Sequence, residues 1–447
     1  MADPFKAYDV RGIYGENVTD ELAYKVGRAF AAEYRAKNVI VGRDMRESSI
    51  PLSKALIDGI TDAGVNVLNI GLASTDMVYF AVIDKKCDGG IMVTASHNPA
   101  QYNGMKCVRE KAIPLGLGSG LETIEERVRN GNLSEKAAKK GKCEEIEVLD
   151  RFVEFMHSFV DPSTLKPMKV VIDSGNGMGG LVIPKLFKDT PIEVIPLFFE
   201  LDGSFPNHEA NPLLEENRKD MEKKVRETGA DLAIGLDGDT DRAFFLDEDG
   251  RFCSGDFILG LLSQPVLKAK KGALITYDVR CSRYVADTAE KYGGRSMVWK
   301  VGHAYAKNFM REHKADFGGE VSGHYYFQHE GAYFDSGNLT ALLLLKTLSE
   351  KGCSLKTAMK ETLDYYISGE INSTVENPDA VLERVEKEFA PRGKDVMKID
   401  GVSVIGDTWW LNVRKSNTEP LVRLNCEAET QEAMEKLRDE VLSIIRR

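Results

Sequence analysis

A short apolar run that ends in a polar loop and leads into a helix-like stretch recurs along most of this chain. No other feature constrains the fold as much. Val39-Ile40-Val41 reads as a buried strand, 48–63 as a helix, 65–70 as a strand, 75–86 as a helix and 90–94 as a strand. The pattern restarts at Lys169-Val170-Val171-Ile172-Asp173, with a helical stretch at 179–188 and a strand at 192–197. It restarts again near Ala273-Leu274-Ile275-Thr276, after the strand-like runs Asp231–Ile234 and Ala243–Leu246. Alternation at this spacing implies βαβ units and mainly parallel sheets. Asp173-Ser174-Gly175, Asp237-Gly238-Asp239 and Asp278-Val279-Arg280 fall at strand ends. In open α/β sheets, ligands gather outside those ends.

The C-terminal part reads differently. Residues 379–389 and 430–445 have helical periodicity, with Leu437, Val441 and Ile444 on one face of the second. Strand-like segments lie between them at 402–405, 409–413 and 421–426. Strands clustered between two helices suggest a small α+β domain. Linker candidates lie near 140–150 (charged) and 366–370. With 447 residues the chain is too long for one core, so several domains are expected.

A net charge of −11 argues against nucleic acid as the main partner. No apolar stretch approaches the ~20 residues of a membrane span, and the start lacks a signal-peptide pattern. Seven scattered cysteines without a C-x-x-C pair point to reduced thiols and a cytoplasmic location. An anionic substrate would require positive charge concentrated locally at its site.

Four loops carry the chemistry. In 92–106, an apolar run ends at Thr94-Ala95-Ser96-His97-Asn98-Pro99, and Lys106 follows ten positions after Ser96. A serine held at a strand-to-loop junction suits covalent chemistry. Asp237-Gly238-Asp239-Thr240-Asp241-Arg242 places three carboxylates at i, i+2 and i+4. As an EF-hand it fails at the sixth position, where Arg242 replaces the turn glycine, and Ala243–Leu246 looks like a strand. As a bare solvated turn it would suffer repulsion among its carboxylates. Three oxygen ligands with room for a phosphate oxygen suit Mg²⁺, and Arg242 could hold that phosphate. In Gly318-Gly319-Glu320-Val321-Ser322-Gly323-His324, Glu320 and Ser322 could bind sugar hydroxyls and His324 could shuttle protons; a plain glycine-rich turn is the alternative. Arg414 to Arg423 packs two arginines, a lysine, two hydroxyls and an amide into ten residues, a donor set that fits phosphate or else a charged surface turn.

One motif points elsewhere. Gly175-Asn176-Gly177-Met178-Gly179-Gly180 matches G-x-G-x-x-G between a strand and a helix, which would make the chain a nicotinamide-dependent dehydrogenase. Asp173 stands where pyrophosphate would approach, and the acidic residue expected about twenty positions on has only Glu193 to offer, at a strand start. A tight turn packing helix on strand fits better.

Taken together, Thr94 to Pro99, Asp237 to Arg242, Gly319 to His324 and Arg414 to Arg423 resemble the α-D-phosphohexomutase family. Tyr8-Asp9-Val10-Arg11-Gly12, Gly42-Arg43-Asp44 and Tyr102-Asn103-Gly104-Met105-Lys106 match as well. Within the family, VTASHNP…YNGMK and GHYYF look most similar to phosphomannomutases, including those acting on glucose phosphates. The resemblance implies an α/β protein of four domains around a central active-site cleft: three related α/β units with mixed, mainly parallel sheets and a C-terminal α+β domain. The expected boundaries are 1–148, 149–249, 250–366 and 367–447.

It further implies that Ser96 is carried as phosphoserine, with Mg²⁺ held by its phosphate and by Asp237, Asp239 and Asp241. Glu320 and Ser322 would hold sugar hydroxyls; Arg414, Ser416, Asn417, Thr418 and Arg423 would hold the non-reacting phosphate. Tyr8, Arg280, Lys300 and His303 would assist in substrate binding, although an arginine at 280 stands where lysine is common. Lys106 and His324 are the acid/base candidates, with Arg11 and Arg242 beside them; a ring of cations would help Lys106 lose its proton. The expected partners are small phosphosugars, with hexose 1,6-bisphosphate as intermediate or activator, and the expected assembly is a monomer or homodimer. The expected reaction interconverts hexose 1- and 6-phosphates of mannose or glucose, and a phosphoglucosamine mutase is the alternative within the family. A hinge near 366–370 would let the last domain close.

Overall fold

The computed structural model describes residues 3–133, 135–416 and 421–447. They form two compact units. One holds the chain up to Cys253 with 310–313 and 322–355; the other holds 254–309, 314–321 and everything from Lys356.

The first unit begins with a six-stranded sheet in the order Val10–Ile13, Tyr102–Arg109, Gly89–Val93, Asn38–Arg43, Asn66–Leu72, Cys143–Glu145. The three pairings from Gly89–Val93 outward to Cys143–Glu145 are parallel; the two that involve Tyr102–Arg109 are antiparallel. Val39, Val41, Ile91 and Val93 bury their side chains against Phe30, Leu52 and Leu56 of the helices Asp20–Tyr34 and Ser49–Asp62. Strands covered on both faces read as continuous apolar runs. The segment read as a linker near 140–150 differs. Cys143–Glu145 pairs in parallel with Val67, Leu68 and Asn69. All three of its residues are exposed, so this edge strand carries no apolar signature, and its charges discourage further strand addition.

The second sheet runs Phe252–Cys253, Ala243–Leu246, Leu232–Leu236, Met168–Asp173, Ile192–Leu197. Leu232–Leu236 is parallel to Met168–Asp173 but antiparallel to Ala243–Leu246, with Leu236 opposite Ala243. The acidic segment 237–242 is therefore the connection of a hairpin, not half of a calcium loop. The glycine motif is a tight turn ahead of the helix Gly179–Leu186. A Cβ on Gly180 would lie 1.8 Å from the Phe199 carbonyl oxygen, so the motif serves close helix packing. The first unit also holds the hairpin Tyr325–His329/Ala332–Asp335 and the helix Gly337–Lys351, whose N-cap Ser336 accepts from Leu339 N.

In the second unit, Leu274–Asp278 lies between Arg295–Trp299 and Phe317–Gly319, parallel to both. The C-terminal sheet is antiparallel throughout its order Tyr366–Ile367, Leu421–Ala428, Trp409–Lys415, Val402–Ile405, Asp395–Met397, and Ile371–Thr374 also pairs with Leu421–Ala428. Val381, Val385 and Phe389 from the helix Pro378–Phe389, and Leu437 and Val441 from Gln431–Ile445, bury one face of it. The candidate hinge at 366–370 contains the strand Tyr366–Ile367. No helix among the described residues is long and apolar enough to cross a membrane.

Candidate active site

Ser96 lies just past the strand Gly89–Val93, fully buried, with φ at +50°. That left-handed conformation costs a non-glycine residue about 1–2 kcal/mol, and the surroundings hold it. Ser96 N donates to Thr94 Oγ1 at 2.9 Å, and Asn98 N to the Ala95 carbonyl at 3.0 Å. Arg46 fastens the loop from below. Its Nη2 donates to the Ser96 and Asn98 carbonyls at 3.0 and 2.6 Å, and its Nη1 to those of Pro99 and Tyr102 at 2.8 and 3.1 Å. Its Nε pairs with buried Asp44. The sequence reading missed Arg46; the only sign was an arginine two positions beyond a strand-end aspartate. Arg11, paired with Asp9, donates to Asn98 Oδ1 at 2.7 Å and to the Ala95 carbonyl at 3.3 Å.

The acidic turn packs directly against this loop. Ser96 Oγ donates to Asp237 Oδ2 at 2.6 Å, and Arg242 Nη2 lies 3.3 Å from the same hydroxyl. Asp237, Asp239 and Asp241 are fully buried and each offers an oxygen within 4.8 Å of the others. Asp239 Oδ1 and Asp241 Oδ1 accept no hydrogen bond among the described residues. Buried carboxylate oxygens without donors are costly, and a cation would satisfy them; the donor set fits Mg²⁺. Burial and the two neighbouring aspartates push the Asp237 carboxyl well up despite Arg242 and Lys106. Burial also acts on Asp241, but Lys106, His324 and Arg242 outweigh it and hold that carboxyl below its usual range.

Lys106 does not sit in a ring of cations. Its ammonium lies 2.6 Å from Asp239 Oδ2 and 2.5 Å from Asp241 Oδ2. Burial alone would lower its pKa, yet the two carboxylates overcome that and raise it. In this arrangement its ammonium is paired with both carboxylates. His97 is the opposite case: burial and the cations Arg242, Arg11 and Lys106 hold its pKa well below 6.5. Its Nδ1, 2.6 Å from Arg242 Nη2, is thus the acceptor of that contact. His324 meets Arg242 in an isolated β-bridge, and its Nδ1 lies 3.0 Å from Asp335 Oδ2 and 3.9 Å from Asp241 Oδ1. Asp335, fully buried, went unnoticed in the sequence because it ends an apolar strand without a motif. Tyr8 and Ser322 are half-buried in the same unit.

The second unit gathers the remaining candidates. Arg280 is buried and forks onto Asp278, with Nε and Nη2 at 2.9 and 2.8 Å from its two oxygens. Glu320 accepts from Gly302 N at 2.8 Å and lies 3.7 Å from Arg280. Lys300 sits 3.8 Å over the Tyr305 ring, and His303 begins the helix His303–His313. Arg414 and Arg423 are cross-strand partners. Ser416 N donates to the Leu421 carbonyl at 2.9 Å. Asn417 and Thr418 lie outside the described residues.

Comparison with known proteins identifies the family of the chain. Residues 2–135, 150–250 and 254–366 match the phosphoglucomutase/phosphomannomutase alpha/beta/alpha domains I, II and III, and 370–444 match the C-terminal domain of that family. The chain belongs to this family, and it is an isomerase of the intramolecular phosphotransferase class acting on phosphohexoses. A phosphomannomutase of Salmonella montevideo is 40% identical over 431 residues, 95% of this chain and 94% of that protein. A protein of Xanthomonas campestris described as phosphohexose mutases is 40% identical over 442 residues, 98% of each. A solved phosphoglucomutase/phosphomannomutase family protein of Burkholderia thailandensis superposes with a TM-score of 0.90 at 32% identity, covering 99% of this chain and 97% of its own.

Proposed function

We propose that the chain interconverts hexose 1-phosphate and hexose 6-phosphate, of mannose or glucose, through a phosphoserine at Ser96 and a hexose 1,6-bisphosphate. The observation that carries this is Ser96 Oγ, 2.6 Å from Asp237 in a buried turn whose Asp239 and Asp241 each keep an oxygen without a hydrogen bond among the described residues. An acyl-transfer serine needs a base able to take its proton. Here the adjacent histidine accepts from an arginine and the serine faces carboxylates, a setting for a carried phosphoryl group.

In this reading Asp237, Asp239 and Asp241 hold Mg²⁺, which when bound neutralises charge on the transferring phosphoryl group. Arg242 and Arg11 orient that group against the sugar. The O–P bond at Ser96 breaks as a bond forms to the free sugar hydroxyl, and the Ser96 oxygen leaves as an oxyanion facing Arg242, free to take the second phosphate. The hydroxyl proton passes to His324, which Asp335 orients and which returns it to the sugar oxygen released in the second transfer. Lys106 keeps the aspartates in register and compensates their charge. The bisphosphate then turns round and its other phosphate returns to Ser96. Glu320 and Ser322 bind sugar hydroxyls with Tyr8, Lys300 and His303 assisting, and Arg414, Ser416, Asn417, Thr418 and Arg423 take the non-reacting phosphate. Arg280, already forked onto Asp278, helps by completing the positive field. Domain limits of 1–148, 149–249, 250–366 and 367–447 complete the proposal.

A coupled assay with mannose 1-phosphate, glucose 1-phosphate and glucosamine 1-phosphate, each with trace bisphosphate, tests the substrate. Turnover only on the glucosamine compound would replace this reading with the phosphoglucosamine mutase alternative. Ser96→Ala should abolish turnover on all three, and mass spectrometry should find phosphate on Ser96 of the wild type. Near-normal turnover by the alanine variant would reject the covalent role.

A further inference from the structure

The antiparallel register sets Arg414 directly opposite Arg423, and Arg423 opposite Asn372 on the next strand. Like charges across a ladder repel, so this pair needs an anion. Glu370, two positions before Asn372 and on the same face, supplies it. Its Oε2 lies 2.9 Å from Arg414 Nη2, and its Oε1 lies 3.3 Å from Arg423 Nη1. Arg280 Nη1 stands 3.8 Å from Oε2. Three guanidinium groups thus converge on one carboxylate. Burial would raise the Glu370 pKa, but Arg280, Arg414 and Arg423 together lower it, so the group is charged. The cluster still has unspent donors: the Nε atoms of Arg414, which is 4% exposed, and of Arg423 are buried and donate no hydrogen bond among the described residues.

We propose that Glu370 is a built-in anion occupying the phosphate-binding arginines, which an incoming phosphate must displace. The inference rests on the reading of Arg414 and Arg423 as the phosphate site. A carboxylate offers two acceptor oxygens and one charge; a phosphate dianion offers three oxygens and more charge, and takes the arginines over. The internal competitor holds the two like charges in place while the site is empty. It also weakens the grip on phosphate and speeds its release. A mutase needs this, because its bisphosphate must leave the site and return by its other end.

The test is a binding isotherm of inorganic phosphate on the full chain, with dissociation followed by stopped flow. Glu370→Gln, which keeps size and removes charge, should bind at least fivefold tighter and release more slowly; Glu370→Ala should do the same and serves if the glutamine variant folds poorly. Arg414→Met and Arg423→Met should weaken the same isotherm tenfold or more. If both arginine variants bind phosphate like the wild type, the phosphate-site reading fails. If they lose binding while neither Glu370 variant binds tighter, the internal-anion proposal alone is overturned.

Discussion

A Cβ placed on Gly238 would stand 2.5 Å from the carbonyl oxygen of Ser96. The two backbones that carry the nucleophile and the carboxylates touch with no side chain between them. Gly238→Ala must push them apart, since neither backbone can yield as a flexible side chain would. Overpacking of this kind costs about 1–3 kcal/mol, and a small displacement within a catalytic constellation can cost about a hundredfold in rate. The variant should fold, melt several degrees lower and lose at least a hundredfold in kcat in the coupled mutase assay. Retention of more than a tenth of wild-type kcat would show that contact between these backbones is not needed.

Arg46 offers a second test of loop geometry. A lysine at 46 keeps the charge beside Asp44 but cannot reproduce the planar fork that reaches four carbonyls at once. Arg46→Lys should lose about 2–4 kcal/mol of stability through buried acceptors left unpaired. In denaturant melts this appears as a lower midpoint with an unchanged slope. A loss below about 1 kcal/mol would mean that the loop holds its conformation without Arg46.

The contrast between Ser96 and Arg46 shows what the sequence could disclose. Ser96 and the three aspartates, which the structure brings together, and Arg414 and Arg423, which it pairs across strands, stand out in the sequence because each lies in a cluster of chemically unusual residues within about ten positions. The sheets were legible wherever both faces are covered, as at Val39 to Val41 and Leu232–Leu236. Arg46, Asp335 and Glu370 were not, because each acquires its role by meeting residues distant in the chain: Arg46 meets Ser96 fifty positions on, and Glu370 meets Arg414 forty-four on. The environment of Lys106 was misjudged for the same reason. Its carboxylate partners lie more than 130 positions away, and no local pattern announces them.

Asp76 predicts a pH dependence of stability. It is buried beneath the acidic turn and accepts from Ser336 Oγ at 2.6 Å, Asn338 Nδ2 at 2.9 Å and Ser74 Oγ. Asn338 also donates to Thr240 Oγ1 at 2.9 Å, which ties this network to the turn. Burial raises the Asp76 pKa from 3.8 to about 7, although its three hydrogen bonds oppose the rise. The folded state therefore binds this proton more tightly than the unfolded chain does. The stabilisation is complete below 3.8 and is lost as pH rises to about 7. Over that window the wild type should lose about 4 kcal/mol relative to Asp76→Asn, since each tenfold gain in proton affinity is worth about 1.4 kcal/mol. Denaturant melts of both proteins from pH 4 to pH 8 check this, and parallel stability curves would show that Asp76 is not held protonated in the folded state across that range.

Lys106 separates charge compensation from proton transfer. Lys106→Met removes the partner of Asp239 and Asp241 and leaves two buried carboxylates facing each other. Breaking a buried pair in this way typically costs about 3–5 kcal/mol. If Mg²⁺ binds the same carboxylates, it should replace part of the lost charge, so its stabilising effect should be larger in the variant than in the wild type. Thermal melts with EDTA and with saturating Mg²⁺ measure this directly, without reference to activity. An equal Mg²⁺ effect on both proteins would place the metal away from Asp239 and Asp241. The turnover of the Mg²⁺-rescued variant then decides the role of the ammonium. A counter-ion can be replaced by the metal, with kcat recovering to within about tenfold, whereas a group that moves the substrate proton cannot, and kcat would stay about a hundredfold or more down.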